Sequence, residues 1–86
     1  MKTGKLLYNA RNALGLTMVE VAKRLGFKSH HMVYQIEHGK KKLPESKIEA
    51  ISSILKISTD EIKTAMVFDY DKKLRSKNES IKTGNK

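Results

Sequence analysis

The sequence predicts an all-α domain of five short helices. Apolar residues recur at three- and four-residue intervals in successive segments. Each segment is opened by a capping residue or proline, or closed by a glycine. No stretch alternates apolar and polar residues as a half-buried strand would.

The first helix is expected from Lys5 to Leu14, with Leu6, Leu7, Ala10, Ala13 and Leu14 on one face. Gly15 ends it, because the residue after a helix often takes the left-handed conformation. Leu16 bridges to Thr17-Met18-Val19-Glu20, which reads as a capping box: the Thr17 hydroxyl accepts from the Glu20 amide and the Glu20 carboxylate reaches back. The second helix carries Met18, Val21, Ala22 and Leu25 inward and stops at Gly26. After Phe27 and Lys28, Ser29 is the predicted N-cap of a third helix from His30 to about His38, with Val33, Ile36 and Glu37 inward. Gly39 closes that helix, and Lys40-Lys41-Lys42 leads to Pro44. Pro44 is expected to start the fourth helix, whose first turn needs no donor there, and Ile48, Ile51, Ser52, Leu55 and Ile57 continue its pattern. Ser58-Thr59-Asp60-Glu61 is a second capping box, opening a fifth helix with Ile62, Ala65 and Met66 inward. The folded domain is expected over residues 1–72. Residues 73–86, polar, basic and nearly aperiodic, read as a frayed helix end and a disordered tail.

Eighty-six residues make one small domain with a modest core. Lys and Arg number 18 against 9 Asp and Glu, a net charge of +9. Such an excess favours polyanions, nucleic acid first and an anionic membrane surface second. The basic residues are scattered rather than set opposite a strong apolar face, which weakens the membrane alternative. Without cysteine there are no disulfides, zinc fingers or thiol catalysis, and the chain fits the cytoplasm. No apolar run approaches the roughly 20 residues that span a bilayer, and the N-terminus lacks the apolar stretch of a signal peptide.

His30, His31 and His38 are the only histidines. Neighbours on a helix point about 100° apart, and Tyr34 and Gln35 occupy the places that would complete an i, i+4 pair, so no metal is expected. No Gly-rich phosphate loop, serine elbow or carboxylate pair is present, so neither catalysis nor a cofactor is expected. Nucleic acid remains. The second and third helices, separated by a tight turn, suit a helix-turn-helix, whose second helix meets base edges in the major groove. His30 and His31 can donate or accept there, Gln35 offers the amide that pairs with adenine, and Met32 or Tyr34 can touch a thymine methyl. Lys28, Ser29, Lys40, Lys41 and Lys42 flank that helix and are candidates for phosphate contacts.

The stretches "LGLTMVEVAKRLGF", "VYQIEHGKKKLP" and "IEAISSILKISTDEI" resemble the Cro/C1-type helix-turn-helix family of phage repressors and Xre-like bacterial regulators, from about Leu6 to Ile62. The resemblance implies a lambda-repressor-like fold, a sequence-specific double-stranded DNA-binding regulator of repressor type, and a palindromic operator bound by a homodimer near the bacterial nucleoid. It implies a pair between Arg11 of the first helix and Glu37 of the recognition helix, and a phosphate contact near the second-helix cap, at Thr17. Two departures stand out. Met18 occupies the place where the family usually has a polar phosphate-binding residue. The interval from Gly26 to Glu37 is one residue longer than the common pattern, and the extra residue is assigned to the turn at Phe27–Ser29. Phe68 and Tyr70 are the candidates for a dimer surface. The alternative from another class is a protein-interaction module, antitoxin-like or partner-recruiting, on the same fold.

Overall fold

The computed structural model describes the backbone of residues 1–84 and the side chains of residues 1–71. Its helices are α1 (Lys2–Ala13), α2 (Met18–Leu25), α3 (His31–Glu37), α4 (Ile48–Leu55) and α5 (Thr59–Gly84), with a 3-10 turn at Glu45–Lys47 before α4. The architecture is all-helical, as expected. α1 packs against α3 and α5, α2 against α3 and α4, and α4 against α5. Between them lies one core built from Leu7, Val21, Ala22, Leu25, Val33, Ile36, Leu43, Ile48, Ile51, Leu55 and Ile62. The interior-facing residues follow the spacing of the sequence, except that Ala13 and Leu14 are exposed.

α1 begins at Lys2 rather than Lys5, and a distant residue explains the extension. Asp69 of α5 accepts from the Lys2 amide at 2.7 Å and from the Thr3 amide at 2.9 Å. The carboxylate thereby satisfies two of the donors that a helix start leaves open. Burial disfavours the charged Asp69, but the amides of Thr3 and Lys2 outweigh it and hold its carboxyl below its ordinary value. Gly4 lets α1 cross the end of α3 closely: a Cβ there would lie 2.2 Å from the Glu37 carbonyl oxygen.

Other boundaries also differ from expectation. α3 starts at His31, and Ser29 makes no cap; His30 stands in helical conformation and its carbonyl accepts the first bond of the helix, from the Tyr34 amide. Pro44 stays extended (ψ 134°) and precedes the 3-10 turn instead of opening α4. Lys47 at the end of that turn is drawn to the Leu25 carbonyl, which its ammonium meets at 2.8 Å, and α4 follows. α4 ends at Leu55 because Lys56 adopts the left-handed conformation (φ 56°); Ile57 lies past the helix but still packs on the core. The Ser58 hydroxyl accepts from the Glu61 amide and caps α5. α5 continues to Gly84, into the stretch read from the sequence as a frayed helix end and a disordered tail (73–86). The side chains of that stretch, and residues 85 and 86 altogether, lie outside the described residues.

Candidate nucleic-acid interface

The site grows from the start of α2. The Thr17 hydroxyl accepts from the Glu20 amide at 3.1 Å, and the Glu20 carboxylate accepts from the Thr17 amide at 3.1 Å and from its hydroxyl. These bonds to Thr17 hold the Glu20 carboxyl below its ordinary range. Met18 turns inward against the core, while Val19 stays exposed. α2 ends at Gly26, whose φ of 76° reverses the chain at no steric cost. Phe27 is half-buried on the core, with the Lys47 ammonium 5.7 Å from its ring centre. Lys28, Ser29 and His30 are exposed. α2 closes at Leu25 and α3 opens at His31, so residues 26–30 form the connection between them.

α3 is fixed from behind. Val33, Ile36 and Glu37 are buried. Arg11 of α1 donates from Nε to Glu37 Oε2 at 2.7 Å and from Nη2 to Oε1 at 3.1 Å. Its third nitrogen, Nη1, donates to the Leu16 carbonyl at 2.9 Å, in the link between α1 and α2. One guanidinium therefore ties α1, the start of α2 and the end of α3 together. The Glu37 hydrogen bond raises the pKa of Arg11 above its ordinary value, with burial opposing.

The opposite face of α3 is open. His31, Tyr34 and His38 are exposed there, and Gln35 is half-buried between them. The His30 and His31 rings stack with centres 5.3 Å apart. Met32, expected to make an apolar contact with a base, is half-buried and packs against the core. Beyond α3, Gly39 (φ 72°) turns the chain, and the amides of Lys40 and Lys41 donate to the Gln35 carbonyl at 2.8 and 3.1 Å. Leu43, buried in the core, anchors the other end of this loop. Lys40, Lys41 and Lys42 are exposed on a segment held at both ends. Phe68 and Tyr70 are exposed on α5, and the Lys2 ammonium lies 4.3 Å from the centre of the Phe68 ring.

Residues 7–62 match the helix-turn-helix family. The chain belongs to that family. Its Cro/C1-type character, legible in the "IEHG" end of the recognition helix, agrees with the match. Among solved structures, this helix-turn-helix chain is similar to the restriction-modification controller protein C.AhdI from Aeromonas hydrophila, at 26% identity. The likeness covers 71% of this chain and 91% of that one, with a TM-score of 0.64. No curated protein sequence matches the chain. Family and fold together make this helix-turn-helix protein a DNA-binding transcriptional regulator. Among the described residues no three His, Asp or Glu side chains gather, and no helix is long and apolar enough to cross a membrane.

Sequence reasoning missed two residues of this region. The His38 ring packs at a tilt against that of Tyr34, a contact signalled by their four-residue spacing. Asp69 caps α1 from 66 residues away, and nothing local signals it.

Proposed function

We propose that the chain is a sequence-specific repressor that binds a two-fold operator as a homodimer, acting by binding alone in the bacterial cytoplasm. The observation that carries this is the open face of α3, where His31 and Gln35 stand exposed or half-exposed on a helix braced from behind by Arg11 and Glu37. In this reading α3 enters the major groove, and His30, His31 and Gln35 meet base edges. Lys28, Ser29, Lys40, Lys41 and Lys42 hold phosphates on either side. Thr17 contributes a weaker contact, because Glu20 already engages its hydroxyl. The likeness to a restriction-modification controller protein supports a regulatory role of this kind. The exposed Phe68 and Tyr70 supply a surface on which two copies can pair.

Gln35→Ala tests the reading. It should cost about 1–3 kcal/mol on the preferred duplex and almost nothing on random DNA. Equal losses on both would remove Gln35 from base recognition. A second reading, a protein-interaction module, draws on Val19 and Leu14, which are exposed apolar side chains near the start of α2. DNA binding confined to very low salt and without sequence preference would favour it.

A further inference from the structure

Tyr34 does not stand alone on the open face of α3. The ring of His38, one turn on, lies with its centre 4.1 Å from that of Tyr34 and tilted by 33°. From the loop beyond, the Lys40 ammonium comes to 5.8 Å from the Tyr34 ring centre, within the range of a cation–π attraction. The loop is not free to choose this position. Gly39 reverses the chain, and the Lys40 and Lys41 amides are bonded to the Gln35 carbonyl. The Tyr34 ring thus has an imidazole packed against it and an ammonium close by, and all three residues are exposed.

We propose that Tyr34, His38 and Lys40 form one phosphate-contacting unit at the C-terminal end of α3, in which Tyr34 is a positioning platform for the two donors and not a reader of bases. The proposal rests on the DNA-binding face described above. Three considerations support it. A recognition helix presents its N-terminal residues to base edges, whereas His38 and Lys40, the two donors, lie past the C-terminal end of α3 and draw the Tyr34 ring toward them. An ammonium resting on a ring keeps its N–H donors free for an anion, and the ring restricts a side chain that would otherwise sample many rotamers. Contacts to phosphate also need no particular base, so a rigid pair of donors serves every sequence equally. This departs from the expectation that Tyr34 touches a thymine methyl.

The experiment measures affinity against salt, on a duplex selected for tight binding and on a random duplex. Lys40→Ala should flatten the dependence of log K on log salt by about 0.9, one phosphate's share. Tyr34→Leu removes no charge and keeps apolar bulk, yet it should flatten the slope by a substantial part of that amount and weaken both duplexes by the same factor. Tyr34→Phe keeps the ring and should retain the parent slope. His38→Ala should weaken both duplexes alike. Thermal melting of each variant shows that it is folded, and the Phe variant separates loss of the ring from loss of the fold. The proposal is overturned if Tyr34→Leu changes the preference between duplexes while leaving the slope untouched, the signature of a base reader, or if it changes neither. A parent that binds no DNA in a salt-dependent way would instead remove the DNA-binding face, and this unit with it.

Discussion

The Arg11–Glu37 pair makes a demanding test, because its worth can be worked out from its surroundings. Both side chains are almost fully removed from water, at 9% and 2% exposure. Two parallel hydrogen bonds join them, and a third fixes the guanidinium to the Leu16 carbonyl. In Glu37→Gln the guanidinium stays charged and buried but loses its counter-charge. In Arg11→Met the carboxylate is left without its donors. Breaking a buried pair from one side costs on the order of 3–5 kcal/mol. A chain of 86 residues has roughly 4–13 kcal/mol of stability in all, so either change removes a large share of it. At about 4–8 °C per kcal/mol, the melting temperature should fall by at least ~12 °C. Replacing both partners by well-packed apolar residues should cost much less, since no buried charge remains. Urea denaturation followed by circular dichroism for the parent, both single variants and the double variant gives the coupling directly. Single losses below about 1 kcal/mol that simply add would refute the reasoning, because they are the mark of a solvated surface pair.

Other consequences can be checked in the same way. Lys41→Ala should weaken binding to all duplexes alike and flatten the salt dependence by about one unit; an unchanged slope in a binding titration would take Lys41 off the phosphate surface. Phe68→Glu should leave the monomer folded, since the side chain is exposed beside Lys2, but should break dimers and lower affinity for the preferred duplex; sedimentation decides, and a parent that is monomeric both free and on DNA would assign the exposed aromatics another role. The carboxyl of Asp69 is held below its unfolded value, near 3.8, so its contribution to stability is present above that pH and is lost as the pH falls through the folded value. Asp69→Asn should therefore destabilise the chain at neutral pH, and its gap from the parent should narrow below about pH 4; a gap that stays constant in urea titrations down to pH 3 would mean that the charge of Asp69 does not hold α1.

The features legible in the sequence are those set by neighbours. Thr17 and Glu20 lie one turn apart, and their box forms as expected. Gly15, Gly26 and Gly39 all take positive φ where the chain must reverse after a helix. The apolar spacing placed Leu7, Val21, Leu25, Val33, Ile36, Ile51, Leu55 and Ile62 in one core. What escaped depends on contacts far apart in the chain. α1 reaches back to Lys2 because α5 brings Asp69 to its amides, and Gly4 reads as a weak point in a helix until α3 is seen crossing it. Pro44 has the φ of a first helical residue, but Lys47 bound to the end of α2 sets where the next helix starts. On the open face, the amphipathic pattern marked α3 as two-sided, but it could not separate Met32, which leans to the core, from His31, which does not. Nor could it show that His38 and Lys40 both approach the Tyr34 ring, because Lys40 reaches it from beyond the turn at Gly39.

Selection from a pool of random duplexes by the purified chain asks whether α3 reads a DNA sequence. A short sequence should be enriched over several rounds at moderate salt, and the enriched sites should carry two related halves centred about one helical turn apart, roughly 34–36 Å, as two recognition helices of a symmetric pair require. A pool that remains random, while the chain still binds DNA weakly at low salt, would leave a basic surface without sequence readout and take base recognition away from α3.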